Sequence, residues 1–298
     1  MKISTDNSAI RQRVGDIEAM RLIKKAGFDG IDYSFYDCAG EYDILAWDDA
    51  SRAEMAEKIL DCAKIEGLEF PQCHAELKYT YGTIEADESH PMYQRVLRSM
   101  EYASRIGAKK IVIHDMKCPI DMDDETADRY NLEFMRSFVP YAEKYGLIIG
   151  MENLFKHDKP NKKFYGRHHT AEWMNRFVDA LGSDLFEVCV DIGHAEICGT
   201  PAYELIGGLS SSRLTMLHVQ DTDLKGDRHW LPFMGSHDWD KITDSLAKIG
   251  FTGTMNLEVL HYHDMFPTEL LPTALKLSAE AARTLASLVE RKKIAAGR

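Results

Sequence analysis

The stretch EKYGLIIGMENLF, residues Glu143–Phe155, contains the pattern that decides the fold. A polar, helix-like segment ends at Gly146, and a short apolar run then leads to Glu152. Glycine directly after a helix is the usual left-handed C′ residue, because it has no Cβ to oppose a positive φ. A short run of Leu, Ile and Met is typical of a strand buried on both faces of a parallel sheet. The stretch therefore predicts a helix-to-strand step whose strand ends at a carboxylate.

The same order of helix, glycine and short apolar run recurs along the chain. The further copies are KKAGFDGIDYSFY (24–36), KIEGLEFPQCHAEL (64–77), SRIGAKKIVIHDM (104–116), DALGSDLFEVCVDIGH (179–194) and AKIGFTGTMNLEVL (247–260). With MKISTDN at the start and RLTMLHVQD (213–221), they predict eight strands near residues 2–6, 30–36, 69–75, 109–115, 147–153, 186–192, 214–220 and 253–260. A final helix is expected from about Pro267 to Lys293.

Eight β-then-α units without a linker or low-complexity break predict an α/β fold, a (β/α)8 TIM barrel that forms a single domain over residues 1–298. A doubly wound open sheet is the competing architecture. Its nucleotide-binding forms place G-x-G-x-x-G or a P-loop in the first βα turn, and neither sequence occurs there. The barrel is therefore the expected fold, with the active site at the C-terminal ends of the strands.

The composition narrows the class of partner. The formal net charge of −12 is unfavourable for nucleic acid, because neutralisation of phosphates by Lys and Arg supplies much of that affinity. No apolar run is long enough to span a bilayer, and the N-terminus lacks a signal-peptide pattern. The cysteines form no C-x-x-C pair, which predicts reduced thiols and a cytoplasmic location: Cys38, Cys62, Cys73, Cys118, Cys189 and Cys198. We expect a small polar substrate, no nucleic acid or membrane partner, and a chain compatible with a homo-oligomer.

Ionisable side chains follow six consecutive predicted strands, where a barrel places its catalytic groups. In strand order they are His74, His114, Glu152, Asp191 with His194, His218 with Asp227 and His229, and Glu258. A single His or Glu at a strand end is more often a hydrogen-bonded rim or capping residue, but six strands in succession favour a site. Strand alternation allows these side chains to face the barrel interior. Burying several carboxylates and imidazoles together is costly unless a positive charge neutralises them, which indicates a divalent metal.

The motifs around these residues resemble those of a known superfamily. They are MEN (151–153), VCVDIGHA (188–195), LHVQD (217–221), DRHWLPFMGSHDW (227–239) and LEV (257–259). Together they resemble the xylose-isomerase-like sugar-phosphate isomerase/epimerase superfamily. It contains enzymes of the D-tagatose 3-epimerase, hydroxypyruvate isomerase and inosose dehydratase types, and the endonuclease IV DNA-repair enzymes are relatives. The resemblance covers nearly the whole chain, because the motifs run from the third predicted strand to the eighth in order.

The resemblance assigns roles to the strand-end residues. It implies that one divalent metal is bound by Glu152, Asp191, His218 and Glu258, and that the two glutamates also act as catalytic base and acid. Three carboxylates and one imidazole favour Mn²⁺, with Mg²⁺, Co²⁺ and Zn²⁺ as alternatives. The other site residues are expected to bind substrate: His74, His114, His194, Asp227, Arg228 and His229.

Such a site suits a ketose, a ketose phosphate or a keto-polyol. A metal-bound carbonyl makes the adjacent proton removable, and the product of its removal is an enediolate. A proton returned to the opposite face gives epimerisation, and one returned to the neighbouring carbon gives isomerisation. Loss of the β-hydroxyl from the same enediolate would give a dehydratase. The sequence leaves the substrate and these three outcomes open.

The endonuclease IV relatives provide the alternative function, a zinc phosphodiesterase acting on abasic DNA. Their three-zinc site uses nine ligands, and the nine strand-end residues from His74 to Glu258 named above supply a residue of suitable type for each. The negative net charge argues against this function, as does the segment QCHAELKYTYG (72–82). DRHWLPFMGSHDW is closer to the epimerase-like D-x-H-x-x-P-G-x-G-x-x-D-W, although Phe233 replaces the first glycine. A third hypothesis is a non-catalytic barrel that binds a sugar or a partner.

Two loops carry further predictions. The basic segment KHDKPNKKFYGRHHT (156–170) is either a solvated loop or a contact for a substrate phosphate or carboxylate through Lys162, Lys163, Arg167, His168 or His169. In the loop after the seventh strand, Trp230 and Phe233 are candidates to stack on a sugar ring, whereas Trp239 is expected to pack at the start of a helix. Asp221 and Asp223 are interpreted as ordinary loop acids.

Overall fold

Ten strands are present in the computed structural model, which describes residues 1–36, 40–76 and 87–297. Their bounds are β1 Ile3–Asp6, β2 Gly30–Ser34, β3 Glu69–His74, β4 Lys110–Val112, β5 Ile148–Glu152, β6 Leu154–Asp158, β7 Lys163–Arg167, β8 Phe186–Asp191, β9 Leu214–His218 and β10 Met255–Leu257. Eight of them fall at the predicted positions. The other two, β6 and β7, form a separate antiparallel hairpin.

The eight-stranded sheet is parallel throughout and curls into a barrel. Its order is β10-β1-β2-β3-β4-β5-β8-β9, so each strand pairs with its neighbour in the chain once the hairpin is set aside. Between the two end strands, the Val219 N–H donates to the Asn256 carbonyl at 2.9 Å and the Glu258 N–H donates to the Val219 carbonyl at 3.1 Å. These bonds bring β9 against β10. The predicted α/β (β/α)8 barrel is confirmed.

Helices surround the barrel and connect its strands. They are α1 Ser8–Val14, α2 Asp16–Ala26, α3 Asp49–Glu66, α4 Pro91–Arg105, α5 Asp124–Arg136, α6 Val139–Tyr145, α7 Ala171–Leu181, α8 Ile192–Ile197, α9 Ala202–Gly207, α10 Trp239–Ile249, α11 Leu260–Asp264 and α12 Leu271–Ala295, with 3-10 turns at Gly40–Tyr42, Ile44–Ala46 and Thr268–Leu270. Gly146 ends α6 with a φ of 63°, as its place before β5 predicts. No helix within the described ranges is long and apolar enough to cross a membrane.

The barrel interior is filled beneath the mouth. Val112, Cys189 and Met216 form a small apolar cluster there. Met216 occupies the space beside Gly150, where a Cβ would lie 2.8 Å from the Met216 Cε. The barrel is thus a packed core rather than a pore, and polar chemistry is confined to one end.

The segment after β5 differs from the predicted loop. Residues 154–158 pair in antiparallel register with residues 163–167, so that Lys156 lies opposite Tyr165. Phe155 and Phe164 pack together across the hairpin, with ring centroids 5.3 Å apart. Cys38 and residues 77–82 of QCHAELKYTYG, on which sequence predictions also rest, lie outside the described residues.

Candidate metal centre

The four side chains expected to bind a metal converge at the C-terminal mouth of the barrel. Glu152 ends β5, Asp191 ends β8, His218 ends β9, and Glu258 directly follows β10. One ligand atom from each lies within 4.8 Å of the other three, and all four side chains are buried. The parallel strands thus bring together acids and an imidazole that are far apart in the sequence.

Asp191 is held in place by hydrogen bonds of its main chain to Asn153 and of its side chain to the His194 N–H. Its N–H donates to Asn153 Oδ1 at 2.9 Å, and Asn153 Nδ2 donates to the Asp191 carbonyl at 2.8 Å. Asp191 is also the N-cap of α8, since its Oδ1 accepts from the His194 N–H at 2.6 Å. A carboxylate is a favoured N-cap because it pairs an otherwise unsatisfied helix N–H. This cap explains the D-x-x-H spacing, which fixes Asp191 and places His194 in the first turn of the helix.

The atoms at the centre of the tetrad lack ordinary hydrogen bonds. His218 Nδ1 lies 3.2 Å from Glu152 Oε1 and 3.5 Å from Glu258 Oε2. Among the described residues, neither His218 Nδ1 nor Glu258 Oε2 has a hydrogen-bond partner. Buried polar atoms are otherwise almost always paired. An imidazole nitrogen and carboxylate oxygens that face one point without donors between them fit a divalent cation, so the residues present suit the metal that the sequence predicts.

Asp32 on β2 lies behind His218 and is missing from the sequence-predicted site. Its Oδ2 is 3.5 Å from His218 Nε2 and accepts from Gln72 Nε2 at 2.7 Å and from Asn256 Nδ2 at 2.8 Å. His218 Nε2 has no hydrogen-bond partner among the described residues, so the 3.5 Å contact is an electrostatic one. A carboxylate on this side of a ligand imidazole favours the ring orientation that leaves Nδ1 for the metal. The available signal was an acid inside the strand GIDYS, which alternation can direct toward the barrel interior.

Three further groups of candidate ligands occur beside the tetrad, and in each the ligand atoms lie within 4.8 Å of one another. One joins His74 to the tetrad residues His218 and Glu258. The other two flank the tetrad: His74, His114 and Glu152 form the first, and His194, Asp227 and His229 form the second. His114 Nε2 is 2.7 Å from Glu152 Oε2 and 3.1 Å from His74 Nε2. Glu152 therefore presents Oε1 to His218 and Oε2 to His114, and belongs to two groups at once.

Three of the flanking imidazoles share one orientation. Each Nδ1 lies 3.0 Å from a backbone carbonyl: His74 from that of Ala75, His194 from that of Asn153 and His229 from that of Glu258. An Nδ1–H that donates to a carbonyl fixes the tautomer and leaves Nε2 with its lone pair. This is the orientation of a metal-ligating histidine. The flanking groups can therefore bind either substrate hydroxyls or further cations.

Gln220 connects the strand-end ligands with the loop after β9. Its Nε2 donates to Asp191 Oδ2 at 3.1 Å and to Asp227 Oδ1 at 2.9 Å, and its Oε1 accepts from the His229 N–H at 2.8 Å. Gln220 is fully buried, and a Cβ added to Gly193 would lie 2.6 Å from its Cδ. The sequence prediction missed Gln220, although it follows His218 at the spacing of two that puts side chains on one face of a strand.

The two glutamates of the tetrad lie in different electrostatic surroundings. Burial raises the pKa of Glu152, but the neighbouring imidazoles of His218 and His114 outweigh it and hold that pKa well below its usual range. Burial raises the pKa of Glu258 to about 8, against the opposing effect of His218 and His229. Burial lowers the pKa of His229, but Asp227 outweighs it and raises that pKa to about 10. Such coupled, displaced ionisations are typical of functional sites.

A cavity of about 520 Å³ opens above the centre. Seven of the predicted site residues line it: His74, His114, Glu152, His194, Asp227, His229 and Glu258. Tyr36 and His261 line it as well and were not predicted. Asp191 and His218 lie beneath this surface and are fully buried. The volume is in the range of small-molecule sites.

The fold and the strand-end residues together correspond to a known family. Its model, the xylose isomerase-like TIM barrel, matches residues 20–288. The chain belongs to this family. As a member of the xylose isomerase-like TIM barrels, it is 27% identical over 263 residues to the uncharacterized protein y4fM of Sinorhizobium fredii, a match that covers 80% of this chain and 79% of that protein.

Solved structures with the same fold include proteins with sugar-epimerase names. A D-tagatose 3-epimerase-like protein superposes with a TM-score of 0.73 at 18% identity, covering 98% of this chain and 99% of that one. The IolI protein with a binding zinc atom superposes with a TM-score of 0.72 at 17% identity, again covering 98% of this chain and 99% of that one. At these identities the likeness shows the fold alone.

The loop after β9 departs from the predicted site at Arg228. Its guanidinium binds Asp223 through two bonds of 3.0 Å, and the described residues that line the cavity do not include it. The next residue, His229, has a φ of 47°, so the chain turns in the left-handed region between the two side chains. Arg228 therefore faces Asp223, while His229 faces the cavity. Asp223 is the loop acid that the sequence predicts.

Asp221 and the aromatic residues of this loop lie outside the described lining of the cavity. The interpretation of Asp221 as an ordinary loop acid is wrong, because Asp221 is fully buried and accepts hydrogen bonds from several N–H groups. Trp239 begins α10 and donates its Nε1–H to Asp221 at 3.0 Å, which confirms its predicted packing role. Neither Trp230 nor Phe233 is among the described residues that line the cavity, and Phe233 is 52% exposed.

The basic segment on the hairpin has some residues that line the cavity and others that face solvent or pack on neighbouring side chains. Arg167 lines the cavity, whereas Lys162 and Lys163 are exposed and do not belong to the described lining. His168 Nε2 lies 3.1 Å from Asp128 Oδ1, and His169 Nδ1 lies 2.6 Å from Thr200 Oγ1. Two lysines that the sequence did not single out, Lys156 and Lys159, line the cavity instead.

Proposed function

We propose that the protein is a divalent-metal-dependent isomerase or epimerase of a sugar, a sugar phosphate or a keto-polyol. The observation that carries this proposal is that Glu152 and Glu258 are both candidate metal ligands and both line the cavity. They come from strands that are not neighbours, since β8 and β9 lie between β5 and β10. Two carboxylates therefore reach one cavity from different sides. A proton transfer between two faces or two carbons of a substrate needs such a pair.

The metal would be held by the tetrad Glu152, Asp191, His218 and Glu258. Mn²⁺ suits three carboxylates and one imidazole, and Mg²⁺, Co²⁺ and Zn²⁺ are the alternatives. When bound, the metal supplies positive charge that polarises a substrate carbonyl and favours negative charge on the adjacent oxygen. The bound zinc of IolI supports a metal in a chain of this fold.

The remaining chemistry belongs to side chains that face the cavity. Glu152 removes the proton from the carbon next to the carbonyl, and Glu258 returns a proton to the opposite face or to the neighbouring carbon. His194, His229 and Asp227 bind substrate hydroxyls on the side of the β9 loop, where Gln220 holds Asp227 and the His229 backbone. His74 and His114 bind the substrate on the other side of Glu152. Asp32 positions the ligand His218, and Gln220 positions Asp227 and His229; neither is among the described residues that line the cavity.

Elemental analysis followed by a substrate screen tests this proposal. We expect about one divalent ion per chain and turnover of a ketose, a ketose phosphate or an inosose. Glu152→Gln should lower turnover by about a thousandfold, because it removes the base and one ligand. Glu69→Gln is the matched control, since Glu69 is exposed at the opposite end of the barrel and pairs with Lys2. Absence of metal from the purified protein, or full turnover by Glu152→Gln, would contradict the proposal.

The flanking groups support a second candidate function, a zinc phosphodiesterase acting on abasic DNA. The Nδ1–H bonds of His74, His194 and His229 to backbone carbonyls direct the three Nε2 atoms toward other candidate ligands, His114 and Asp227, which is the arrangement that further ions would need. The net charge of −12 weighs against a DNA substrate. Three zinc ions per chain with cleavage of an abasic duplex would establish this second function. One ion per chain and an intact duplex would support the first.

The proposal takes residues 1–298 as one domain that works in the cytoplasm on a small molecule. The described cysteines support a reducing location because all of them are free: Cys62, Cys73, Cys118, Cys189 and Cys198. Cys73 and Cys189 are buried inside the barrel strands β3 and β8, where oxidation would disturb the packing.

A further inference from the structure

The outer wall of the cavity is basic, in contrast to its floor. Four cationic side chains line this wall: Lys117, Lys156, Lys159 and Arg167. Three of them come from the β6–β7 hairpin, and Lys117 comes from the segment after β4. Asp115 is the one carboxylate on the same wall among the described lining residues, whereas Glu152, Asp227 and Glu258 belong to the floor. The cavity therefore has an acidic, metal-ligating end and a cationic end.

Arg167 has an unused hydrogen-bond donor at this wall. Its side chain is only 4% exposed, and its Nη2 lies 3.1 Å from Asp115 Oδ2 and 3.0 Å from Asp128 Oδ1. Its Nη1 has no hydrogen-bond partner among the described residues and lies 3.6 Å from Asp124 Oδ1. Buried N–H groups without a partner are rare in proteins. Arg167 is therefore a cavity-lining guanidinium that still has a donor to offer.

The lysines of the wall are only partly neutralised by the protein. Lys156 is 11% exposed, and its Nζ donates to the Met122 carbonyl at 3.0 Å, while the nearest carboxylate, on Asp124, is 3.9 Å away. Lys117 and Lys159 are exposed at the rim and form no ion pair with any described residue. Like charges collected around one concave surface raise the local potential and attract anions.

We propose that this wall is an anion subsite, which binds a phosphate or carboxylate group of the substrate while the reacting carbonyl lies at the metal-ligating floor. This inference rests on the proposed function and narrows its substrate class to a phosphorylated sugar or a sugar acid. The cationic wall also favours one orientation of the substrate, with its anionic group on the hairpin side and its carbonyl toward Glu152 and Glu258. A guanidinium and ammonium groups are the usual ligands of such anions.

Binding of small anions to the purified protein tests the subsite. Inorganic phosphate and acetate are titrated separately by calorimetry into the wild type and into the double variant Lys117→Ala/Lys159→Ala. We expect the tighter-binding anion to lose about tenfold in affinity in the double variant, or about 1.4 kcal/mol of binding free energy, since two charge contacts with the anion are removed. Tighter phosphate binding assigns a phosphate ester, and tighter acetate binding assigns a sugar acid.

The same hairpin supplies the matched control. Lys162→Ala/Lys163→Ala removes the same charge from exposed positions outside the described cavity lining, and should change the affinity less than twofold. Equal losses in both double variants would mean that only the overall charge matters, and would overturn the subsite. Unchanged affinity in Lys117→Ala/Lys159→Ala would overturn it as well.

A further variant addresses the buried donor and separates this inference from the proposed function. Arg167→Lys keeps the charge but loses the planar fork, so it should weaken anion binding while its circular dichroism spectrum stays native; native folding with full affinity would contradict the role of Arg167. Anion binding requires no turnover. Anion binding that depends on the lysines, together with no turnover in the screen, would support the subsite and contradict the proposed isomerase function. Turnover together with anion binding that does not depend on the lysines would support the isomerase function and contradict the subsite.

Discussion

Two buried carboxylates, Glu258 and Asp221, lie at the same end of the barrel and are used differently. Asp221 accepts from the N–H groups of Thr222 at 2.9 Å and Phe233 at 3.0 Å, and from Trp239 Nε1 at 3.0 Å. Glu258 is also buried, but it borders the cavity and its Oε2 has no hydrogen-bond partner among the described residues. The protein satisfies the first acid by itself and leaves the second for something it binds. Burial alone therefore does not distinguish these two acids, whereas their hydrogen-bond partners do.

Removal of Asp221 should give the largest loss of stability. Asp221→Ala leaves several buried N–H groups without an acceptor, and we expect the free energy of unfolding to fall by about 3 kcal/mol or more. Urea denaturation measures this loss. Asp223→Ala, two residues further along, removes an exposed pair with Arg228 and should cost about 0.5 kcal/mol. Equal losses in the two variants would contradict the structural role of Asp221.

Gln220 shares a feature with each of these acids. Its own polar atoms are hydrogen-bonded within the protein, as those of Asp221 are, but the residues it bonds are candidate ligands, as Glu258 is. Gln220→Leu keeps the approximate volume and removes the bonds to Asp191, Asp227 and the His229 backbone. We expect metal affinity to fall by about 10- to 100-fold, measured by competition with a chelator. Gln94→Leu on α4 is the control. If Gln220→Leu loses stability but retains its metal affinity, Gln220 supports only the fold, as Asp221 does, and does not position the ligands.

His263 extends the comparison to a buried imidazole that, unlike the imidazoles of the metal-ligating end, forms no ion pair with a carboxylate of the described residues. It is buried, lies 3.0 Å from Ser278 Oγ through Nε2, and its pKa is lowered from 6.5 to about 3 by burial and then by the charge of Arg13. Below pH 6.5 the His263 imidazole binds a proton in the unfolded chain, whereas in the folded chain it stays neutral down to about pH 3. The free energy of unfolding therefore falls as the pH drops. This contribution amounts to about 2 kcal/mol between pH 7 and pH 5.

His263→Gln keeps an N–H donor for Ser278 and removes the titration. We therefore expect its free energy of unfolding to fall less than that of the wild type between pH 7 and pH 5, by the same amount of about 2 kcal/mol. Urea denaturation at the two pH values gives the difference directly. An identical pH dependence in the two proteins would show that His263 is not held neutral.

The barrel and most of its strand-end residues could be predicted because their signals are local. A glycine after a helix and a short apolar run define each strand, and the register of parallel strands then brings their last residues to one mouth. Asp32 and Gln220 carried a similar signal, since each lies in a strand or strand extension at the alternation that can face inward. Asp32 escapes a prediction based on strand ends because it lies in the middle of Gly30–Ser34, and Gln220 escapes it because its side chain is an amide rather than an ionisable group.

The differences between the sequence predictions and the structure concern features that depend on non-local geometry. Arg228 precedes His229 in the sequence, but the left-handed backbone at His229 separates the two side chains, which spacing alone does not reveal. The hairpin after β5 pairs polar residues such as Lys156 and Tyr165 across a turn, so it lacks the apolar run of a barrel strand. Consequently the sequence pointed to Lys162 and Lys163, whereas Lys156 and Lys159 line the cavity.

The contact between Gly193 and Gln220 has an evolutionary consequence. Any side chain at position 193 would need the space that the Gln220 amide fills, because a Cβ there would lie 2.6 Å from its Cδ. The two positions should therefore vary as a pair across the family: descendants that lengthen residue 193 must first shorten residue 220. A lineage that made this exchange would lose the amide link between Asp191 and Asp227, and would have to anchor the β9 loop by another route.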